Sequence, residues 1–355
     1  MKKNTKNYIG NILLSVISIL LGFLLFEIST RFHLYFKNQK SFQEAMSKPA
    51  LLKAGAESPL GDFIISSKYP GIIYEMRPNI KTNFMNVQIE TNNEGWRNKS
   101  YPLEKSENTI RIIMLGDSHM FGWGVSQDKR YSSVLEHKLN TGFPEKKWEI
   151  INTAVPGYNT YMEVETLKRR ALIYRPDIVI MEYIGNDLDL PNFIMASTDY
   201  LNFKKSFFVD FLKGQLGLLK IKFNLIQPPT FQAFGGVRFV GEHDPSLVPK
   251  KYQHMVGWGS FKESMLELKK MQQKFNFEVV ICITHDWPPN YQQKIIDLCS
   301  RLKFHVLVNL QKHEPSLILS QADPHPSALG HETIANSLLA FMEQEKIINK
   351  YIGKQ

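Results

Sequence analysis

Five short apolar runs recur between residues 109 and 310 and predict the strands of one sheet. Their hydrophobic residues stand next to one another instead of alternating with polar ones. That pattern is typical of strands buried on both faces of a parallel sheet. The runs cover residues 111–115, 148–152, 177–183, 278–284 and 305–310.

Segments with a helical repeat of apolar residues lie between and after these runs. The clearest is the last, where Ile334, Ala335, Leu338, Leu339 and Met342 form one stripe. Earlier stripes are Tyr131, Val134, Leu135 and Lys138, and then Phe261, Met265, Leu268 and Phe275. The alternation predicts an open, doubly wound parallel α/β sheet with right-handed crossovers and the flavodoxin-like strand order 2-1-3-4-5. A site is then expected at the carboxyl ends of the strands.

The N-terminus carries an uncharged apolar segment, residues 7–26, between two groups of basic residues. At 1.5 Å per residue its length matches a hydrocarbon core of about 30 Å. We predict an uncleaved transmembrane anchor over residues 1–30. A cleaved signal peptide is the alternative, although Glu27-Ile28-Ser29-Thr30 does not resemble a cleavage site.

The rest of the chain divides by pattern into two further parts. Residues 31–100 are predicted to form a juxtamembrane linker and a small β extension, because 74–79 and 87–91 alternate like short strands before a turn at 92–97. Residues 101–350 form the predicted catalytic domain. Residues 190–258 interrupt the alternation of predicted strands and helices and are interpreted as an inserted lid-like segment. Packing helices, membrane-surface contact and glycan binding are the open alternatives.

Composition changes this picture little. The 355 residues are 43% hydrophobic and carry 43 basic against 34 acidic side chains, a net charge of +9. No nucleic-acid motif accompanies the excess charge, and a membrane segment accounts for it more simply. The only cysteines, Cys282 and Cys299, are too few for a disulfide framework, and a bridge between them stays open.

Four blocks of turn residues follow predicted strands or precede the last helix. They are Gly116-Asp117-Ser118, Pro156-Gly157-Tyr158-Asn159, Gly185-Asn186-Asp187 and Asp323-Pro324-His325-Pro326. As an ordered set over about residues 92–342, these blocks resemble the SGNH/GDSL hydrolase family. The Asn-x-x-Gly-aromatic-Arg element at 92–97 is similar to one in membrane-anchored members. The resemblance implies the SGNH hydrolase fold.

A serine hydroxyl needs a base to remove its proton, and a carboxylate fixes the tautomer of a histidine base. Ser118 is the candidate nucleophile, His325 the candidate base and Asp323 the candidate acid. Many family members place the acid three residues before the histidine, where this chain has Ala322. The resemblance assigns the oxyanion hole to the Ser118 N–H, the Gly157 N–H and the Asn186 amide.

Each of these residues also has an ordinary structural interpretation. Ser118 fits a helix N-cap, Gly157 a turn, Asn186 a loop cap and His325 a surface histidine. His331 and His119 are interpreted as packing residues, although His119 could also touch the site or the substrate.

His285-Asp286-Trp287 is a possible substrate contact. It lacks a third ligand at metal spacing, so no metal is predicted, and the chemistry calls for no cofactor.

The residues predict serine-dependent acyl transfer. Water as acceptor gives an esterase and a sugar hydroxyl gives an O-acyltransferase, and the two share one site. The anchor and the basic surface favour an acylated cell-envelope glycan or a lipid-linked substrate, with the catalytic domain outside the cytoplasm. A non-catalytic glycan-binding scaffold of an envelope polysaccharide assembly is the alternative, and protein partners stay unknown.

Overall fold

A computed structural model of the full chain describes residues 2–47, 63–191, 193–195, 206–209, 212, 231–233, 250–284, 291–309 and 314–353. Two compact units are present. One contains Met1–Ala50 and Met195–Phe231, and the other contains Leu51–Ile194 and Gln232–Gln355. Most of the predicted insert 190–258, and all of His285-Asp286-Trp287, lie outside the described residues.

The larger unit is built on a five-stranded parallel sheet. Its strands are β5 (Thr109–Leu115), β6 (Lys147–Asn152), β7 (Ile178–Tyr183), β10 (Glu278–Ile283) and β11 (His305–Val308). Their order across the sheet is β11-β10-β7-β5-β6, which is 2-1-3-4-5 when the five are numbered along the chain. The predicted fold class and strand order are therefore confirmed. The register pairs Ile113 with both Ile151 and Val179, so the carboxyl ends of the three adjacent strands β6, β5 and β7 lie together.

Helices cover the sheet through their apolar stripes. Among the residues described, the α-helices of this unit are α2 (Ser118–Phe121), α3 (Tyr131–Gly142), α4 (Thr160–Thr166), α5 (Gly257–Phe275), α6 (Tyr291–Arg301), α7 (Ala328–Gln344) and α8 (Asn349–Ile352). Phe261, Met265 and Leu268 of α5 are buried as their spacing predicts. Phe275, at the end of the predicted stripe, is 46% exposed because α5 ends there, at Asn276 in the left-handed conformation.

Two β-hairpin-like pairs precede the sheet. β1 (Ile64–Ser66) pairs antiparallel with β2 (Tyr74–Met76), and β3 (Lys81–Phe84) with β4 (Val87–Glu90). This β extension joins the main core through Trp96, which is buried in the same cluster as Ile113 and Ile151. Arg97 is also buried and donates to the carbonyl oxygens of Gly122 (2.7 Å) and Val125 (2.8 Å). The extension is therefore bonded to the loop that follows the candidate nucleophile.

The smaller unit is dominated by α1 (Lys2–Ser47). Residues Gly10–His33 have a mean hydropathy of 2.5 and are long and apolar enough to cross a membrane, a property that signal sequences share. Within this unit the Glu27 carboxylate accepts hydrogen bonds from the Ser206 hydroxyl and from the backbone N–H of Phe208, at 2.7 and 2.9 Å. Two short strands occur within the predicted insert: β8 (Phe193–Met195) near its start and β9 (Phe231–Ala233) well inside it.

Both cysteines are buried and free. Burial raises the pKa of the Cys282 thiol well above its usual value, and that of Cys299 to about 12. Both thiols are consequently inert packing groups.

Candidate active site

The candidate nucleophile lies where β5 ends and α2 begins. Asp117 caps this one-turn helix, its Oδ1 accepting a hydrogen bond from the His119 N–H at 3.1 Å. Gly122 ends the helix with a φ of +83°, and a Cβ there would lie 2.3 Å from Cγ of Arg130. Glycine is therefore required at 122, and it lets the chain turn immediately after the nucleophile.

Ser118, His325 and Asp323 form one hydrogen-bonded chain. The Ser118 Oγ lies 2.9 Å from His325 Nε2, and His325 Nδ1 lies 2.5 Å from Asp323 Oδ1. The hydroxyl has a second neighbour, Asp117 Oδ2, at 3.2 Å. A histidine bonded in this way presents its acceptor nitrogen to the serine and its N–H to the carboxylate.

The Asp-x-His spacing works because the loop before α7 folds back on itself. Ser320 and Asp323 exchange backbone hydrogen bonds, and the Leu319 N–H donates to the His325 carbonyl at 2.9 Å. Pro326 pairs with Ile318 in an isolated bridge. This tight hairpin brings the carboxylate beside the imidazole although only Pro324 separates them.

Trp123 is a site residue that the sequence analysis missed. Its Nε1–H donates to Asp323 Oδ2 at 3.1 Å, and its ring stacks on His325 with centroids 5.0 Å apart and an angle of 15°. Phe84 of β3 packs edge-on against the same indole, with ring centroids 4.7 Å apart. The β extension thus supports the residue that holds both the candidate base and the candidate acid. A tryptophan five residues after the serine is the only sequence signal that would have suggested it.

These contacts determine the protonation states of Asp323 and His325. Burial raises the pKa of Asp323, but hydrogen bonds from His325 and Trp123 outweigh it, so the pKa is lowered overall. Burial and the neighbouring His119 lower the pKa of His325, although Asp323 opposes them. At neutral pH the imidazole is therefore neutral and able to accept a proton, and the carboxylate is ionised.

The two other blocks meet the nucleophile at the same edge of the sheet. Gly157 has a φ of +78° and sits in a turn whose Val155 N–H donates to the Gly116 carbonyl at 3.3 Å. The Asn186 side chain donates one N–H to Asp117 Oδ2 at 2.9 Å. An amide nitrogen has two hydrogens, so a second donor remains on Asn186.

The turns that carry these residues are fixed by buried polar groups. Asn159 caps α4 and donates to the carbonyl oxygens of Asp189 (2.8 Å) and Met255 (2.7 Å). Asp187 accepts from the Thr160 hydroxyl at 2.8 Å and from the Ile184 N–H at 2.6 Å. Sequence reasoning placed these residues in motifs without seeing that they bind the two blocks to each other.

His331 and His119, the two histidines interpreted from the sequence as packing residues, are both buried. The Nδ1 of His331 accepts the Tyr131 N–H at 3.3 Å, at the start of α3, and the two rings stack at 5.5 Å. Burial lowers the pKa of His331 well below its usual value, so it is neutral and serves as a cap for α3. His119 packs edge-on against His325, with centroids 5.2 Å apart.

Comparison with known proteins gives only distant likenesses. No family profile matches the sequence. No curated protein matches it either. Among solved structures, the chain is similar to the psychrotrophic esterase EstA from Pseudoalteromonas sp., with a TM-score of 0.40, 15% identity and coverage of 67% of this chain and 98% of that one.

Two further solved structures are similar to the chain to about the same degree in TM-score and identity. The lipase/acylhydrolase from Enterococcus faecalis has a TM-score of 0.39 and 12% identity, covering 66% of this chain and 96% of that one. Axe2, an acetylxylan esterase from Geobacillus stearothermophilus, has a TM-score of 0.40 and 11% identity, covering 66% and 94%. These likenesses are too distant to decide the chemistry, which is inferred from the geometry of the site itself.

Proposed function

We propose that this protein is a serine-dependent esterase or O-acyltransferase. The observation that carries the proposal is the chain of hydrogen bonds from the Ser118 Oγ through His325 to Asp323, at 2.9 and 2.5 Å. Three side chains from two distant segments meet in the order that nucleophilic acyl transfer needs. Packing alone gives no reason for a neutral histidine to bridge a serine and a carboxylate.

The reaction begins when Ser118 Oγ attacks an ester carbonyl while His325 Nε2 takes its proton. The carbonyl oxygen becomes an oxyanion, which the backbone N–H groups of Ser118 and Gly157 and the second amide N–H of Asn186 stabilise. Collapse of this intermediate breaks the ester bond, and His325 returns the proton to the leaving alcohol. Asp323 holds the imidazole in place and stabilises its charged form.

The acyl-enzyme is then resolved by an acceptor hydroxyl. If the acceptor is water, the protein is an esterase. If it is a sugar hydroxyl, the protein is an O-acyltransferase, which must keep water from the acyl-enzyme. The apolar helix and the net charge of +9 support a substrate at the cell envelope, such as an acylated glycan or a lipid-linked ester.

The organisation that goes with this function has three parts. The proposal places a membrane anchor at residues 1–30, a linker with the β extension at 31–100, and the catalytic domain at 101–350 with a lid-like insert at 190–258. An uncharged segment of this length supports a single pass, and the envelope substrate requires the catalytic domain on the extracytoplasmic side.

Labelling with a fluorophosphonate tests the catalytic proposal without knowledge of the substrate. The full-length protein in detergent should be labelled, and Ser118→Ala should abolish labelling while circular dichroism shows a folded protein. Ser126→Ala, a nearby serine bonded to Asp128, is the matched control and should label like the wild type. Undiminished labelling of Ser118→Ala would contradict the assignment. A folded, unlabelled wild type that binds envelope glycan would support a scaffold instead.

Membrane fractionation tests the anchor. The full-length protein should remain with membranes after alkaline extraction, because a spanning helix leaves only when the bilayer is dissolved. A C-terminal reporter that works only in the cytoplasm should be silent. A mature N-terminus mapped after residue 26 would show a cleaved signal, and a strong cytoplasmic reporter would overturn the orientation.

A further inference from the structure

A buried histidine–glutamate pair lies beside the candidate base. His119 follows the nucleophile directly, is only 5% exposed, and has its Nδ1 3.7 Å from Glu182 Oε1. Glu182 belongs to β7, the central strand of the sheet, and is 2% exposed. The proposed catalytic mechanism uses neither residue, and a buried carboxylate in the middle of a sheet needs a reason.

Glu182 is held in its charged form by surrounding donors. The Tyr131 hydroxyl donates to Oε2 at 2.6 Å, and the Thr284 hydroxyl donates to Oε1 at 2.9 Å. Burial raises the pKa of this carboxyl, but His119 and the two hydroxyls outweigh burial and lower it overall. A carboxylate with three partners is a fixed negative charge at neutral pH.

The surroundings of His119 favour the opposite charge on its ring. Burial lowers its pKa, but Glu182 and then Asp117 outweigh burial and raise it. The charged or titratable groups that face it come from four segments: Asp117 before α2, Glu182 of β7, Asp323 and His325 in the loop before α7, and His331 of α7. Cys282 of β10 faces Glu182 and is neutral, because burial raises the pKa of its thiol.

The His119 ring lies against the proposed catalytic base. Its centroid is 5.2 Å from that of His325, at an angle of 61°, while Trp123 covers the face of His325 at 5.0 Å. His325 is therefore held between the indole of Trp123 and the imidazole of His119. A positive charge on His119 at this distance opposes protonation of His325. Glu182 contacts His119 itself, with its Oε1 3.7 Å from the His119 Nδ1.

We propose that the buried His119–Glu182 pair is a positioning element for the catalytic base: it holds the His325 ring from one side and sets the pH at which that base becomes protonated. The inference rests on the proposed function, since it concerns the same base. The pair keeps His325 neutral, and thus competent as a proton acceptor, at a lower pH than Asp323 alone would allow.

The acid limb of the pH profile of kcat/KM tests this, because that limb reports the protonation of the base in the free enzyme. Hydrolysis of 4-nitrophenyl acetate by the full-length protein in detergent is measured from about pH 5 to about pH 9. His119→Asn removes the positive charge, so the pKa of His325 should rise and the limb should move upward by about 1 pH unit.

Glu182→Gln separates an indirect effect from a direct one. If the carboxylate acts by keeping His119 charged, its loss lets His119 become neutral, and the limb moves upward by less than in His119→Asn. If it acted on His325 directly, loss of a negative charge would move the limb downward. The double variant should coincide with Glu182→Gln, because His119 is neutral or absent in both.

Several controls keep the outcomes distinct. His137→Asn changes an exposed histidine on α3 and should leave the limb in place. Circular dichroism establishes that each variant is folded, and Glu182→Gln decides the question alone if His119→Asn does not fold. The proposal is overturned if the folded variants keep the acid limb of kcat/KM at the wild-type pH while kcat/KM falls equally at every pH. The pair would then have only a packing role.

Failure of the proposed function has a different signature. In that case the wild type neither hydrolyses the ester nor reacts with the fluorophosphonate. An NMR titration of protein carrying ¹³Cε1-labelled histidine still decides the inference, since it needs no turnover. The resonance lost in His325→Ala should titrate at higher pH in His119→Asn than in the wild type, and an unchanged titration would refute the charge effect.

Discussion

Replacing Asp323 by asparagine tests how the acid of the proposed triad works. Each of its oxygens accepts a different donor: Oδ1 lies 2.5 Å from His325 Nδ1, and Oδ2 lies 3.1 Å from Trp123 Nε1. An asparagine offers one acceptor oxygen and one NH2, so one of the two donors must face another donor. The substitution therefore removes the negative charge and one hydrogen bond while leaving the size of the side chain unchanged.

The expected loss of kcat depends on how far Asp323 and His325 are exposed to solvent. Loss of a fully buried triad acid lowers kcat by roughly 10⁴-fold, because the histidine adopts the wrong tautomer. Here the Asp323 side chain is 26% exposed and His325 is 23% exposed, so water can replace part of the lost interaction. We expect Asp323→Asn to lower kcat by roughly 10²- to 10³-fold, equivalent to about 3–4 kcal/mol in the activation free energy.

His325→Ala should be at least as damaging as Asp323→Asn, because it removes the imidazole nitrogen that lies 2.9 Å from Ser118 Oγ and takes its proton. The double variant should be no slower than roughly His325→Ala alone, since residues that act as a unit are not additive. The assay is turnover of a short-chain aryl ester, with folding checked by circular dichroism.

Asp128→Asn, which alters a carboxylate whose side chain is 73% exposed, is the matched control and should retain the wild-type rate. Wild-type turnover by Asp323→Asn would refute the reasoning. The acid would then be another carboxylate, or the site would be a Ser-His dyad.

Three further changes have definite expected outcomes. Trp123→Phe keeps the stacked ring but loses the 3.1 Å hydrogen bond to Asp323, so kcat/KM should fall about 5- to 30-fold, and Trp123→Ala should lower it further. Burial and neighbouring carboxylates raise the pKa of Glu163 well above its usual value, so its contribution to stability is present in acid and is lost as the pH rises toward the folded-state pKa. The thermal midpoint should therefore fall between about pH 5 and about pH 8, and Glu163→Gln should reduce that fall. Gly122→Ala should lower the free energy of unfolding by about 1–3 kcal/mol in urea titrations, since its φ is +83° and the added Cβ would meet Arg130.

Most of the sheet could be predicted because its strands are buried on both faces. Residues 148–152 and 177–183 stand out as continuous apolar runs, and the structure has strands at Lys147–Asn152 and Ile178–Tyr183. The order 2-1-3-4-5 followed from the alternation of strands and helices. The β extension was harder, because all four of its strands are only three or four residues long; β2 and β4 were anticipated, and their partners β1 and β3 were not.

Some residues of the candidate site could likewise be recognised from their local sequence, whereas others join it only through contacts between distant segments. Ser118 and His325 were recognisable because each sits in a short block of turn residues. Trp123 was not, because its partner Asp323 is 200 positions away and nothing local to either residue encodes the contact. His119 was interpreted as packing, which is correct for its burial but omits Glu182, a residue inside an otherwise apolar strand.

The charges around the nucleophile explain why these distant partners matter. An oxyanion forming at Ser118 would be opposed by the carboxylates of Asp117, Glu163, Glu182 and Asp187 if all four were ionised and unpaired. The structure reduces this opposition in different ways. Glu182 faces His119, whose pKa it raises, and burial raises the pKa values of Glu163 and Asp187, which favours their neutral forms. Asp117 instead accepts hydrogen bonds from the His119 N–H and from the Asn186 amide, which partly offset its charge. The fold can therefore use acidic residues to fix its turns without placing their full charge beside the proposed transition state.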